Sequence, residues 1–304
     1  MGQVLLNGVL PIFAIAAIGY FMGMRGIFDA GAAAVINKLV FLVAVPALGF
    51  QLIVNAPFAA FQWYLLVGFF ASELCIYILG FLFARLILKC EMKEAILLGL
   101  AASFGNALMF VLPIAIALYG EAAALPIVAI VALDSIVIFG GTIIIMEAIS
   151  AGDFSFVVIV KKIFQNPPLI SMLVAILVVS LSIEIHQGLN VFLKFTGNMA
   201  APCSLFSLGI VLSRTKITDR IFASSCLSII KLVGHPVIAW IILSGILDFT
   251  LSDAKTSMMV AAAPCGAMAF VLALNYQVRT DVIAPAIFFT TLGSLASVTL
   301  VASL

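Results

Sequence analysis

Charge is what this sequence has least of: Asp, Glu, Lys and Arg together make up 9% of its 304 residues, against about 25% in an ordinary soluble domain. So few charges cannot cover the surface of a water-soluble fold of this length. Apolar residues reach 65% and the mean hydropathy is +1.34, so the solvent for most of the chain is lipid. Histidine occurs twice, at His186 and His235, too far apart for the clustered ligands of a zinc centre, and neither a metal nor a cofactor is expected. The five cysteines (Cys75, Cys90, Cys203, Cys226, Cys265) are odd in number and show no CxxC or Cys/His spacing. They read as small apolar residues and not as a disulfide framework. A net charge of +1 lacks the basic bias that a nucleic-acid partner requires. Enzyme chemistry is short of parts as well. There is no GxSxG nucleophile motif, and an intramembrane aspartyl protease would need two mid-span Asp residues where only Asp134 is found, so no residue is assigned a catalytic role.

What the sequence has instead is a series of about ten apolar stretches, near 4–24, 31–54, 62–88, 93–118, 121–149, 166–185, 188–213, 221–247, 254–277 and 281–303. Each reaches about the 20 residues that cross ~30 Å of hydrocarbon as a helix. Their continuous apolarity, without ten-residue alternation, excludes barrel strands. The first lacks a basic leader and reads as a retained span. The expected fold is an all-α polytopic membrane protein of about ten transmembrane helices embedded in a lipid bilayer. Eleven of the fourteen basic residues (Arg25, Lys38, Arg85, Lys89, Lys93, Lys161, Lys162, Arg214, Lys216, Arg220 and Arg279) lie in or beside the loops that follow odd-numbered spans. Only Lys194 and Lys255 fall on the other side, and Lys231 lies within a span. This asymmetry places the odd-span loops in the cytoplasm and both termini outside, with a cell membrane, bacterial inner membrane foremost, as the location.

The two halves resemble each other. Pro46 in Ala44-Val45-Pro46-Ala47 matches Pro202 in Ala200-Ala201-Pro202-Cys203 at an offset of 156, Phe110-Val111-Leu112 matches Phe270-Val271-Leu272 at 160, and Pro126 matches Pro285 at 159. Five spans are an odd number, so a second copy enters the membrane from the opposite face. The predicted organisation is a first five-helix repeat over 1–150 and an inverted second one over 151–304, the plan of secondary transporters with a substrate site at the midplane. The plan predicts interrupted helices at matching places. The fourth span carries Ser103-Phe104-Gly105-Asn106 and Pro113; the ninth carries Ala263-Pro264-Cys265-Gly266. Pro113 alone reads as a plain kink, but the paired placement turns both segments into candidate breaks. Half-helix amino termini meeting there, each with about half a positive charge, would form an anion site with few formal cations. The candidate substrate contacts are Asn106, Pro113, Ser103, Pro264, Cys265, Gly266 and Lys231. Asn275, near the cytoplasmic end, carries less weight.

Ionisable residues inside the spans are few. Glu73 lies about 16 Å into the third span and Lys231 about 15 Å into the eighth, at equivalent repeat positions. A charge at the bilayer centre costs on the order of 2.5–3.5 kcal/mol, so the two suggest a structural pair, a proton relay or a support for the crossing, with Lys231 as substrate counter-ion the alternative. Asp134 reads as a lone carboxylate that either takes up a proton or makes an interhelical hydrogen bond. His235, one turn beyond Lys231, is either a titrating group or a packing residue.

These residues also resemble a known family. Leu10-Pro11-Ile12, Gly19-Tyr20-Phe21-Met22-Gly23 and Asn37-Lys38-Leu39-Val40 leading to Val45-Pro46-Ala47 are similar to the first two spans of the auxin efflux carriers, which include the plant carriers and bacterial permeases for malate, malonate and related anions. Asn106 to Pro113 with Tyr119-Gly120 resembles that family's fourth span, and Ala263-Pro264-Cys265-Gly266 with Phe270-Val271-Leu272-Ala273, Tyr276 and Asp281 its ninth. The chain departs at Ala269, where the plant carriers have a second proline, and it lacks their long loop between spans five and six, which points toward the compact bacterial permeases. The resemblance implies a scaffold from spans 1, 2, 6 and 7, a moving transport domain from spans 3–5 and 8–10, and an elevator-like cycle in a homodimer. The expected function is secondary active transport of small organic anions (mono- or dicarboxylates, or auxin-like acids), powered by the substrate's own gradient or by proton coupling. A sodium-coupled symporter of a related inverted-repeat fold is the alternative. A channel would need a continuous polar stripe or charged ring, which the sequence lacks.

Overall fold

A computed structural model describes residues 10–55, 62–151, 167–214 and 220–304, together with Gly2 and Leu6. Lys161, Lys162, Lys216 and nearly all of the loop expected near 150–165 lie outside the described residues. Helices follow one another where the ten apolar stretches fall. Five of them, Ala30–Gln51, Trp63–Ile87, Gln187–Arg214, Ile221–Ile246 and Ile283–Ser303, are each long and apolar enough to cross a membrane uninterrupted. They are the second, third, seventh, eighth and tenth spans. The first is described over Leu10–Met24 and the sixth over Pro167–Ser180. The fourth comes in two pieces, Met92–Ser103 and Ala107–Tyr119, and the ninth likewise, Leu251–Ala261 and Met268–Asn275. The fifth runs from Ala124–Leu133 through Asp134–Phe139 to Gly140–Ala151.

Prolines explain much of the local geometry. Pro46, Pro113 and Pro236 each sit second in an α-helical segment that follows a five-residue π-helical run: Val40–Ala44, Ala107–Val111 and Ile230–Gly234. A proline has no N–H and its ring collides with the carbonyl four residues back; widening the preceding turn removes the collision and lets the helix continue. Asp134–Phe139 forms another π run.

The first span packs along the seventh, and the second along the sixth and seventh. The third, fourth, fifth, eighth, ninth and tenth pack among themselves. Close approach of the first and seventh spans depends on two glycines. A Cβ at Gly19 would lie 2.0 Å from the Phe206 carbonyl oxygen, and one at Gly209 would lie 2.0 Å from that of Ala16, so any side chain there forces the backbones apart. The two groups of helices meet through apolar contacts, among them the Phe13 ring standing edge-on to Phe110 at 5.0 Å.

Polar side chains tie the helix ends together. Arg214 Nη2 donates to the Gly23 carbonyl at 3.0 Å, joining the ends of spans one and seven. Arg220, just before the eighth span, reaches Glu94 in the first turn of the fourth at 2.5 Å, Asp281 between the ninth and tenth at 3.4 Å, and Cys90 Sγ at 3.2 Å. At the other end of the fourth span, Tyr119 donates its hydroxyl to the Ala302 carbonyl at 2.7 Å, and the Lys255 ammonium lies 5.4 Å from the Tyr119 ring centroid. All five cysteines are free thiols.

Candidate functional site

Both interrupted spans stop at the same place, and the stops are joined to each other. Helix is lost at Phe104, which is extended (φ −65°, ψ 112°), and resumes after Asn106 (φ −81°, ψ 58°). In the ninth span it is lost after Ala261 and resumes at Met268. Across the gap the Asn106 N–H donates to the Pro264 carbonyl at 2.9 Å and the Gly266 N–H to the Phe104 carbonyl at 2.9 Å. With these reciprocal bonds Gly105 and Cys265 form an antiparallel bridge, the only one among the described residues. An open helix end in apolar surroundings leaves backbone groups without partners at a cost of several kcal/mol each; here each break supplies what the other lacks.

Space for the crossing comes from small residues. A Cβ on Gly105 would stand 3.2 Å from the Ala263 Cβ and 3.3 Å from Lys231 Nζ, and one on Gly266 would stand 2.8 Å from the Phe104 ring. Beyond the bridge, the pieces that begin at Ala107 and Met268 each present first-turn N–H groups with no carbonyl one turn earlier in their own helix. Two half-helix amino termini thus adjoin one pair of breaks, a suitable arrangement for a negatively charged group.

The break in the fourth span does not fall at Pro113, contrary to what the proline suggests. Pro113 stands seven residues past Asn106, where the π run Ala107–Val111 absorbs its missing N–H and the helix passes through. Asn106, Ser103, Pro264, Cys265 and Gly266 do lie at the crossing. The Asn106 carboxamide has no protein partner among the described residues, whereas its backbone is committed to Pro264. The side chain of Asn275 lies outside the described residues.

Lys231 is the hub beneath the crossing. It is fully buried, at 0% exposure, and its ammonium donates to the Ser103 carbonyl at 2.7 Å and lies 3.0 Å from His235 Nδ1. Ser103 is the last residue of its half-helix, so a cation sits where the helix dipole is negative and a carbonyl is freed by the break. Glu73 and Asp134, 1% and 3% exposed, lie close enough for their charges to act on Lys231 and on each other. The sequence reading needs correction at three points here. Asp134 is not a lone carboxylate, since it faces Glu73. Lys231 is not in a direct salt bridge with Glu73, because its donors point to Ser103 and His235. And although no cluster of mid-span carboxylates that would suggest a cation cage is visible along the sequence, Glu73 and Asp134 form one beside Lys231. His235, also buried, stacks at a tilt on Phe69 with centroids 5.6 Å apart. Both Glu73 oxygens, Asp134 Oδ1 and His235 Nε2 are buried without a hydrogen-bond partner among the described residues.

Hydroxyls of the tenth span are the site residues that sequence reasoning missed. Thr290 Oγ1 accepts the Cys265 N–H at 3.1 Å, and Ser297 donates to the Ala262 carbonyl at 2.8 Å. Their spacing of two helical turns put them on one face, a signal that a scan for charges and helix breakers does not register.

Known proteins resemble this chain over nearly its whole length. The family of membrane transport proteins matches residues 4–302. A protein of Rhizobium meliloti named "Putative malonate transporter" is 25% identical over 296 residues, covering 96% of this chain and 92% of that protein. An uncharacterized transporter of Methanocaldococcus jannaschii is 24% identical over 305 residues, covering 97% of each. One from Methanothermobacter thermautotrophicus is 22% identical over 300 residues, covering 96% of this chain and 95% of that one. A match that runs from the first span to the last makes the protein a member of the membrane transport protein family, that of the auxin efflux carriers.

Proposed function

We propose that the protein is a secondary active transporter of small organic anions, with mono- and dicarboxylates such as malonate and malate, or auxin-like acids, as the substrate class. The observation that carries this reading is the reciprocal bonding of the two breaks, Asn106 to Pro264 and Gly266 to Phe104, with two half-helix amino termini beside it. Such a site holds a carboxylate by backbone N–H groups without placing a fixed cation in lipid. Asn106 supplies a side-chain donor, and Lys231 sustains the site from below by holding Ser103 in place. The Rhizobium relative's name supports the anion class.

In this reading the halves 1–150 and 151–304 are inverted repeats. Spans 1, 2, 6 and 7 are a scaffold, shared with a second copy in a homodimer, and spans 3–5 and 8–10 carry the site across as an elevator. The separate packing of these two groups of helices supports that division. Odd-span loops face the cytoplasm of a bacterial inner membrane and both termini face outside. Glu73 and Asp134 provide the coupling. As carboxylates both are acceptors only, and with Lys231 they leave one net negative charge sealed from water. One proton held between them balances the cluster and turns their contact into a hydrogen bond. A sodium ion balances the same charge, so the carboxylate pair also favours the sodium-coupled alternative.

The test is uptake of labelled malonate, malate and an indole-type acid into proteoliposomes, with a pH gradient, a sodium gradient or neither. Saturable uptake with counterflow of one of these acids is expected; linear, non-saturating flux, or none of any organic acid, would overturn the reading. Asn106→Ala is expected to raise KM about tenfold, the loss of about one hydrogen bond to a charged group, and an unchanged KM removes Asn106 from the site.

A further inference from the structure

The tenth span contributes no residue to the bridge between the breaks, yet two of its hydroxyls hold one side of it. Interrupting the ninth span frees backbone groups on both sides of Pro264. Before the break the Ala262 carbonyl loses its helical partner, and after it so does the Cys265 N–H. Ser297 Oγ donates to the former at 2.8 Å and Thr290 Oγ1 accepts from the latter at 3.1 Å. The Pro264 carbonyl and the Gly266 N–H go to the fourth span. Thr290 and Ser297 stand seven residues apart, about 10.5 Å along one face of the tenth helix, and so straddle the break.

The role of Thr290 is fixed by its own hydrogen. A threonine hydroxyl has one proton to donate, and this one goes back to the Ala286 carbonyl at 2.7 Å, one turn earlier. Toward Cys265 the oxygen can only accept. Thr290 is fully buried, so no water competes for that lone pair. Its neighbour Thr291 is buried to nearly the same degree but bonds only within its own helix, to the Ile287 carbonyl at 2.7 Å. Two adjacent threonines thus differ in one respect, contact with the break.

We infer that Thr290, with Ser297, is a positioning residue of the anion site. It turns the Cys265 N–H away from the crossing and toward the tenth span, and it fixes Cys265-Gly266 in register with Phe104-Gly105-Asn106. The substrate is left with the first-turn N–H groups after Asn106 and after Gly266. The tenth span is consequently part of the device that sets substrate affinity. This inference deepens the function proposed above and rests on it for its transport arm.

The experiment compares Thr290→Val, Thr290→Ser and Thr291→Val, with Ser297→Ala as a second probe of the bracket. In proteoliposomes Thr290→Val is expected to raise KM for the transported acid about tenfold with maximal rate within twofold of wild type. Thr290→Ser, which keeps the acceptor, is expected to restore it, and Thr291→Val to leave it unchanged. A second arm does not require transport. Cys265 is 2% exposed, and releasing its backbone is expected to raise its rate of labelling by a membrane-permeant maleimide at least fivefold in Thr290→Val and Ser297→Ala, read by peptide mass spectrometry, and not in Thr291→Val. Equal behaviour of Thr290→Val and Thr291→Val in the labelling arm overturns the inference, as does a Thr290→Ser variant that fails to rescue. Should wild type carry no organic acid while labelling separates the two threonines, the transport reading fails and the positioning role stands.

Discussion

The fourth and ninth spans are interrupted side by side and are bonded to each other, but they are held by different chemistry. On the fourth-span side the freed carbonyl of Ser103 is taken by a buried ammonium, Lys231, with Glu73, Asp134 and His235 around it. On the ninth-span side the freed groups of Ala262 and Cys265 are taken by neutral hydroxyls of Ser297 and Thr290. The backbone problem is one and the same: polar groups that water cannot reach must find partners in protein. Only the first solution can respond to protons or cations, since hydroxyls keep their hydrogens at every physiological pH. The comparison teaches that one crossing can carry a fixed arm and a chargeable arm, which is what coupling substrate movement to an ion gradient needs.

The largest expected effect comes from the chargeable arm. Lys231→Met leaves the Ser103 carbonyl without a donor and two buried carboxylates without a counter-charge. Breaking a buried charge cluster in this way costs about 3–5 kcal/mol, so uptake is expected to fall at least a hundredfold and the melting temperature of the purified protein to drop. Near-normal uptake would erase the distinction between the arms.

Glu73→Gln sharpens the same contrast. Stimulation of uptake by a pH gradient is expected to disappear, about a tenfold loss under a gradient, with KM within threefold of wild type. A pH–rate profile identical to wild type would dismiss Glu73 from coupling. Thr290→Val is expected to do the reverse, changing KM and leaving the shape of the pH profile intact.

Smaller effects follow from close packing at the bridge. Gly266→Ala brings a methyl group within 2.8 Å of the Phe104 ring and Gly105→Ala one within 3.3 Å of Lys231 Nζ. Each forces the breaks apart by a few tenths of an ångström, and three- to tenfold higher KM values in radiolabel uptake are expected. Gly105→Ala is also expected to alter the pH profile, because it displaces Lys231, while Gly266→Ala is not.

The smallest effect is expected away from the crossing. Arg220 ties the start of the eighth span to Glu94, Asp281 and Cys90. Partial burial pulls its guanidinium down, but the bonds to Glu94 and Cys90 and the Glu94 charge outweigh that and leave it above its ordinary value. A raised folded value contributes stability that is present below the unfolded one and is lost only as pH rises through the folded one. For Arg220 both lie far into alkali, so the tie is constant between pH 5 and pH 9. Arg220→Gln is therefore expected to lower uptake two- to threefold by the same factor at every pH tested, and a pH-dependent loss would contradict the assignment of titration to the crossing alone.

Legibility in the sequence followed the range of the interaction. The breaks could be read because Gly105-Asn106 and Pro264-Cys265-Gly266 are local disruptions of apolar helices. Glu73 and Lys231 stood out because charge in a membrane span is rare. Pro113 misled, since a proline announces only a missing donor and a clash, and the chain met both by widening a turn. Asp134 looked solitary because its neighbours Glu73 and Lys231 are 61 and 97 residues away, and Thr290 and Ser297 looked ordinary because their partners are 25 and 35 residues distant.

By itself the sequence determined the solvent and the helical class that the solvent imposes. Apolar stretches of bilayer length with few charges can fold only as membrane helices, and Gly and Pro weaken a helix wherever they fall. Which groups meet was left to the tertiary structure. The partner of each freed N–H and carbonyl, whether Pro264 for Asn106, Lys231 for Ser103 or Thr290 for Cys265, depends on how separate helices are brought side by side. Helix periodicity states which face a residue occupies; packing alone states what stands opposite.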